Sequence, residues 1–470
     1  MKTIKQTTKK TVTTGKQRSY NEIVEFLDKN WSTNVDTKDK SLSCMKQLDK
    51  ALGNVSKKLN VVTVSGTNGK SLTIHFASKL LKEEGLKVGT FYSPHIMTYN
   101  ERLSLNNETI PNKMFTEVAN EVLNCAETNG IEANSLDLLT MMAITHFVKN
   151  KVDVALFEVN KGGLAHPINI CDAKITAITR ITPDKVNNMQ EMIADIMGVI
   201  RKNTWVISAD QCKFNLQTMQ EITESKSGQW AMPIRKLSPL SYPFEQLHGR
   251  CAALAERIAY IFVNNIVVNN ATVVSGSLLT KPKAQRGRPT LEAKRQAELN
   301  PRKTIEQFWK EAENTLPARF QLLDKEKPSV LLDNSSNLDS FQNLLLGIRL
   351  LHYQKPLKGL TVILGGNNPD IDFNEFLKLL RYFFKKTSGQ VIVCPVDAHP
   401  GHKGEKSWNV EKITNDIKSM KIKAKSAKSF KEAFEAAQKT VDERHGLVVI
   451  TGSTSVITEY WRYKGMKKIA

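Results

Sequence analysis

The stretch VVTVSGTNGKSLT, residues 61–73, sets two glycines, a lysine and a serine between a β-branched run and an amphipathic one. Gly66 and Gly69 allow a tight turn and a backbone with no Cβ where a ligand comes close. Lys70 adds a positive charge, and Ser71 a hydroxyl that can meet a metal or a phosphate. Where such a loop opens a helix, the first free backbone N–H groups point into it, and the chemistry it suits is the holding of phosphates. The spacing departs from G-x-x-x-x-G-K-[ST], because only Thr67 and Asn68 separate the glycines. The same residues would also serve as a plain turn between strand and helix.

The flanking elements favour the phosphate reading. Val61 to Val64 form a β-branched run about one strand long, and Leu72, Phe76, Leu80 and Leu81 share one face of a helix that Gly85 can stop. A short amphipathic helix starts at Tyr20, and helical pattern continues to about Leu52. Lys87 to Tyr92 read as the next strand, running into SPHIMTYNERLSLN. Helical periodicity returns over 112–125 and 136–148, followed by strands over 152–159 and 175–181. Alternation of this kind predicts an α/β fold, a mostly parallel doubly wound sheet covered on both faces. Ligands gather at the carboxyl ends of such strands, where Lys70, Ser93 and Glu158 all fall.

Residues 204–274 continue the alternation, with a helix from about Arg250 to Phe262. The segment 275–303 breaks it with a polar, basic stretch read as an insertion or linker. A second, smaller α/β unit follows over 304–470, its alternation plain from about Thr315. Its strands are read at Val330–Asp333, Thr361–Leu364, Gln390–Cys394 and Leu447–Ile450, and a helix at Ser340–Leu351. The chain thus divides into a basic tail (1–19), a nucleotide-loop domain (20–274), the insertion and a C-terminal domain.

A length of 470 residues suits two or three domains, and 40% apolar residues suffice for their cores. No run of eighteen apolar residues occurs, which argues against a membrane span. The six cysteines contain no C-x-x-C pair, as expected of reduced thiols in a cytoplasm without a zinc site. The net charge of +20 fits either lysine-rich solubility or attraction to a polyanion. The tail carries a single arginine, which argues against a transit peptide.

Six segments, in order, resemble the Mur ligase superfamily and most closely its folylpolyglutamate synthase/dihydrofolate synthase family. GTNGKS at 66–71 is similar to that family's GTNGKG. Tyr92-Ser93-Pro94-His95 with Asn100-Glu101-Arg102-Leu103 is similar to TSPH and NERI. Phe157-Glu158-Val159, with Gly162, Gly163 and Asn169, resembles EVGLGG…TN. Pro317-Ala318-Arg319 stands for PGR, Asp333 to Asn337 for DGAHN, and Gly452-Ser453 with Glu459 for GS…E. Only 65 residues precede the glycine loop, which favours the folate branch over the murein-building relatives with a further domain there.

The resemblance implies a P-loop, Mg²⁺- and ATP-dependent amide ligase that releases ADP. It would add L-glutamate to a folate or pteroate through an acyl phosphate, with a place in folate biosynthesis and one-carbon metabolism. Carried across, Gly66, Thr67, Asn68, Gly69, Lys70 and Ser71 hold the phosphates. Ser93 and Glu158 are magnesium ligands, Arg319 reaches the γ-phosphate from the second domain, and Asp333 lies on the nucleotide side. Relatives of this kind are monomers. Each residue has a plainer reading: Glu158 as a strand-end acid, Ser93 in a turn, Arg319 in a surface ion pair, Asp333 as a helix cap, His95 as structural.

The chain also departs from the family. Asp184-Lys185 stands for Asp-His, and Ile196-Met197-Gly198-Val199 for the KAGI run around a carbamylated lysine. Ser336 replaces the DGAHN histidine, Leu164 and His166 replace an arginine and an aspartate, and Ala255 replaces an adenine-side asparagine. Lys185 is then a candidate fixed cation where a metal would sit. Two other functions follow from these features: a nucleotide-binding homologue with a regulatory or structural role, and a nucleic-acid-associated ATPase. The second would use the basic tail and Arg286-Gly287-Arg288-Pro289.

Overall fold

Strand β1 (Val61–Ser65) lies at the centre of an eight-stranded sheet in a computed structural model that describes residues 15–31, 42–160, 163–182, 188–209, 211–267, 277–279, 303–367, 371–397 and 406–468. The strand order is β4-β3-β2-β5-β1-β6-β7-β8. The other members are β2 (Val88–Phe91), β3 (Leu103–Leu105), β4 (Glu108–Thr109), β5 (Val154–Glu158), β6 (Ile175–Ile178), β7 (Trp205–Ser208) and β8 (Gln229–Ala231). β2 and β5 to β8 run parallel to β1 or to one another. β3 and β4 add an antiparallel edge. Register brings Val64 opposite Glu158 and Ser65 opposite Ile178, so the glycine loop and Glu158 leave the sheet side by side.

The parallel strands are apolar on both faces because helices cover both. Ala155 and Phe157 face a layer built from α1 (Tyr20–Lys29), α2 (Ser43–Ala51), α4 (Asn112–Thr128) and α5 (Ser135–Lys149). Val154 and Leu156 face α3 (Lys70–Glu83) and α8 (Phe244–Ile261). Helix α6 (Met189–Met197) packs with α7 (Lys213–Ser225) beside β7. The β3–β4 hairpin turns at Asn106 and Asn107, both at positive φ (51° and 69°). That geometry suits asparagine and matches the right-handed twist of the strands. It lies in the stretch that follows the strand read at Lys87–Tyr92, to which the sequence pattern assigns no element.

The second sheet follows the order β13-β12-β11-β14-β10-β9. Its strands are β9 (Gln321–Leu323), β10 (Ser329–Asp333), β11 (Leu360–Leu364), β12 (Gln390–Val393), β13 (Ala424–Ser426) and β14 (Leu447–Thr451), parallel except for β9. Two apolar clusters fill its faces.

The boundary between the units differs from the one the sequence pattern places at 304. Helix Ile305–Glu311 packs into the first domain, with Trp309 fully buried against Phe76 at 5.8 Å between ring centroids. The Trp309 indole N–H donates to Glu256 Oε2 at 2.7 Å. The sequence pattern assigns no element to 305–311, and nothing local marks which core that stretch enters. Most of the insertion, including 286–289, lies outside the described residues, as does most of the basic tail. In return, Leu247 of α8 joins the second domain's core, and Ile96 is buried in that core from the first domain's side. Thr458 Oγ1 donates to Ile96 O at 2.7 Å. No described helix is long and apolar enough to cross a membrane.

Two outcomes follow from this packing. Trp309→Ala should lower unfolding free energy by about 3–5 kcal/mol in urea titrations, since it empties a large buried site and removes one of the donors to the buried Glu256 carboxylate. A loss below about 1 kcal/mol would mean that the helix is not held in the first domain's core. Burial also keeps four histidines neutral: His75 is pushed down to about 3, and His146, His166 and His248 to about 4, from an ordinary 6.5. The unfolded chain takes up protons near 6.5 while the folded one does not. Stability should therefore fall as pH drops from 6.5 toward 4. A urea midpoint unchanged between about pH 7.5 and about pH 5 would contradict this.

Candidate active site

The glycine loop takes the shape its sequence requires. Gly66 and Gly69 sit at φ +126° and +89°, and Gly69 is the N-cap of α3. A Cβ on Gly66 would lie 2.2 Å from Thr179 Oγ1 and 3.1 Å from Thr179 N, so the loop can lie against β6 only as glycine. Lys70 curls back over the loop, its ammonium donating to Gly66 O and Thr67 O, each at 2.9 Å. Burial lowers the Lys70 pKa, with nearby Glu158 acting in the opposite direction. The loop thus presents a desolvated cation with no anion bonded to it among the described residues, a condition that favours a phosphate.

Around Lys70 the structure brings together residues far apart in sequence. Ser71 Oγ donates to Glu158, with Oε1 at 3.1 Å and Oε2 at 2.9 Å, and the Ser93 N–H reaches Glu158 Oε2 at 3.3 Å. Glu158 itself is only 3% exposed. Arg319 arrives from the second domain, Nη2 donating to Ser71 Oγ at 3.2 Å. Its two neighbours, Ala318 and Phe320, both adopt positive φ (58° and 52°), a strain of about 1–3 kcal/mol each for residues other than glycine. Asp333 holds that strained arm. It accepts from Phe320 N at 2.8 Å and from both the backbone (3.0 Å) and the hydroxyl of Ser335. Burial raises the Asp333 pKa, against the hydrogen bonds that it accepts. Asp333 therefore lines the cleft while its oxygens are turned to its own domain.

A cleft of about 670 Å³ opens between the domains, lined by the loop, Ser93, Glu158, Arg319 and Asp333. Its far wall includes Gln246, Arg250 and Cys251 of α8, with Arg349 and Tyr382 from the second domain. Asn68 of the loop exchanges amide hydrogen bonds with Asn337 (3.0 and 2.9 Å) and donates to Asp339 Oδ2 at 2.8 Å. Arg180 pairs with Asp339 at 3.0 Å. Sequence reasoning missed this clasp, because an acid two residues into a helix is an ordinary match to the helix dipole. It also gave no role to Arg102, whose guanidinium reaches Ser93 Oγ at 3.0 Å. Lys185 lies outside the described residues.

The donor set suits a hard divalent cation held together with phosphate. Glu158 offers a carboxylate, Ser71 and Ser93 offer hydroxyls, and Mg²⁺ is commonly bound by one or two carboxylates plus substrate oxygens and water. Among the described residues no three His, Cys, Asp or Glu cluster as an all-protein metal cage. A cation here would thus depend on oxygens brought by a ligand.

Comparison with solved structures matches this two-domain arrangement. Mycobacterium tuberculosis folylpolyglutamate synthase complexed with ADP superposes with a TM-score of 0.72 at 18% identity, covering 95% of this chain and 98% of that one. The bifunctional folylpolyglutamate synthase/dihydrofolate synthase from Yersinia pestis, complexed with AMPPNP and Mn ion, gives 0.66 at 20% identity, covering 90% and 93%. These likenesses show the fold. In sequence, the dihydrofolate synthase/folylpolyglutamate synthase of Bacillus subtilis (strain 168) is 30% identical over 224 residues. The chain is similar in sequence to proteins named folylpolyglutamate synthase and dihydrofolate synthase. The B. subtilis match takes in 46% of this chain and 49% of that protein, so the chain spans about half the length of the curated relatives it matches. No protein-family model matches the chain. Against the family's pattern, Ser336 lines the cleft where a histidine is expected, and Cys251 lies against Gly69, within 2.8 Å of a Cβ built there.

The loop geometry can be tested on stability alone. Gly66→Ala should destabilise the fold by about 2 kcal/mol or more, because strain at positive φ adds to a collision with the Thr179 backbone. Gly53 also has positive φ (83°) but open space around it, so Gly53→Ala should cost only about 1 kcal/mol. Equal losses in urea unfolding would show that the contact with Thr179 carries nothing.

Proposed function

We propose that this chain is an ATP-dependent, ADP-forming amide ligase that adds L-glutamate to a folate or pteroate carboxylate. The observation that carries this reading is the convergence of Lys70, Ser71, Glu158 and Arg319, from both domains, at one end of the interdomain cleft. In the proposed reaction an acceptor carboxylate oxygen attacks the γ-phosphorus, and the bond to the ADP oxygen breaks. The glutamate amine then attacks the acyl phosphate carbonyl, phosphate leaves with its bonding pair, and the nitrogen loses a proton.

The glycine loop binds the phosphates through its backbone N–H groups and Lys70, which exchanges two loop carbonyls for phosphate oxygens. Arg319 would donate to the transferred phosphoryl, where a planar pair of N–H groups is worth most as charge builds. Ser71, Ser93 and Glu158 would hold Mg²⁺, which when bound spreads the charge of the phosphates. Asp333 orients Arg319 by anchoring the strained arm. Two domains closed over the site keep water from the acyl phosphate. The six free thiols suit a reducing compartment, and we place the protein in the cytoplasm as a monomer.

The test is ADP release by the purified full chain with Mg-ATP, with and without L-glutamate and a panel of pteroate and folate acceptors. Release is expected to need glutamate and one acceptor together, and to fall at least ~100-fold in Lys70→Ala and in Arg319→Ala. ATP binding without turnover for any acceptor would instead establish a nucleotide-binding homologue that no longer ligates.

A further inference from the structure

Arg102 closes the short 3₁₀ turn Tyr99–Arg102 just before β3, and it is wholly buried. Its Nε donates to His95 Nδ1 at 3.0 Å and its Nη1 to Ser93 Oγ at 3.0 Å. The guanidinium carbon lies 4.8 Å from the ring centroid of Trp31 and 5.9 Å from that of Tyr99. Nη2 is buried with no hydrogen-bond partner among the described residues. A buried cation held by ring faces and neutral acceptors is expensive, and a fold that needed only to fasten this loop could do so with a neutral donor.

The two bonds have specific consequences. Because Nδ1 of His95 accepts, its proton is on Nε2 when the ring is neutral. Because Ser93 Oγ accepts from Nη1, one lone pair is taken and rotation about χ1 is arrested. That leaves a second lone pair, on a residue whose own backbone N–H meets Glu158. We propose that Arg102 is a positioning residue, which fixes the Ser93 hydroxyl so that it and Glu158 together receive a divalent cation. This rests on the cation role proposed above for Ser93 and Glu158. The guanidinium fork suits the position because Nε–H and Nη1–H are fixed donors, each aimed at its own acceptor, whereas a rotatable ammonium holds no such fixed pair.

The test reads metal binding rather than turnover. Free Mn²⁺ is followed by electron paramagnetic resonance in a titration of the full chain with ADP, and ADP binding in EDTA is measured by calorimetry. Arg102→Lys and Ser93→Ala should each weaken Mn²⁺ binding about tenfold, and the double variant no more than Ser93→Ala alone. ADP affinity in EDTA should be unchanged in Arg102→Lys. Should Arg102→Lys fail to fold, Trp31→Leu loosens the guanidinium while keeping both its bonds. It should weaken Mn²⁺ binding less, and again not at all when Ser93 is already alanine. Losses that multiply in the double variant, or unaltered Mn²⁺ affinity in Arg102→Lys, would overturn the positioning role. An effect of Arg102→Lys without any effect of Ser93→Ala would overturn both it and the cation role of Ser93.

Discussion

One carboxylate governs the arrangement of this molecule. Glu158 ends a strand whose other residues are buried and apolar, and its charge is taken out of water at a cost of several kcal/mol. Such a group must be met by donors and by opposite charge. The Ser71 hydroxyl and the Ser93 N–H supply the first, and Lys70 lies near enough to feel it. Each comes from a different segment, so the glycine loop, the segment after β2 and the end of β5 are fixed relative to one another by a single acid. Removing that charge would leave the buried Lys70 ammonium with less to offset its own desolvation.

The second domain is drawn to the same point by its own chemistry. Arg319 can reach Ser71 only because the chain around it adopts two left-handed conformations, and Asp333 bonds to the backbone there to hold them. The Asn68–Asn337 amide pair and the Arg180–Asp339 ion pair lie beside it. These contacts are polar, as is usual where two domains meet around a ligand cleft rather than across a shared core. The apolar crossings are few among the described residues, with Leu247 entering one core cluster of the second domain and Ile96 the other.

Local chemistry made much of this legible in the sequence. The glycine loop, its strand and its helix stand where the β-branched run and the helical repeat place them. Glu158 stands out because an acid closing so apolar a run is unusual. The β3–β4 hairpin carried a usable signal, two consecutive asparagines, but its strands are too short to show alternation. Helix Ile305–Glu311 shows another limit: at seven residues it is too short to display a helical repeat, and nothing local marks the core it enters. Asn68 and Asn337 are 269 residues apart and both are common turn and cap residues, so nothing local marks them as partners. Arg102 belongs to the Asn100–Leu103 motif, yet its burial and its two hydrogen bonds, to His95 and Ser93, are visible only in the fold.

Ile96 gives the closed cleft a mechanical meaning. It is embedded in the core of one domain, while Ser93, three residues earlier, is hydrogen-bonded to an acid at the end of a strand in the other. Three residues of fully extended chain span about 10 Å at most, so this segment is a short leash between two bodies. Were the domains to swing apart by more than the slack it holds, either Ile96 would leave its apolar seat or Ser93 would leave Glu158. The contact between Ser93 and Glu158 can then be made only while the halves are shut. Closure of the cleft and the pairing of Ser93 with Glu158 become one event, enforced by the length of the polypeptide itself.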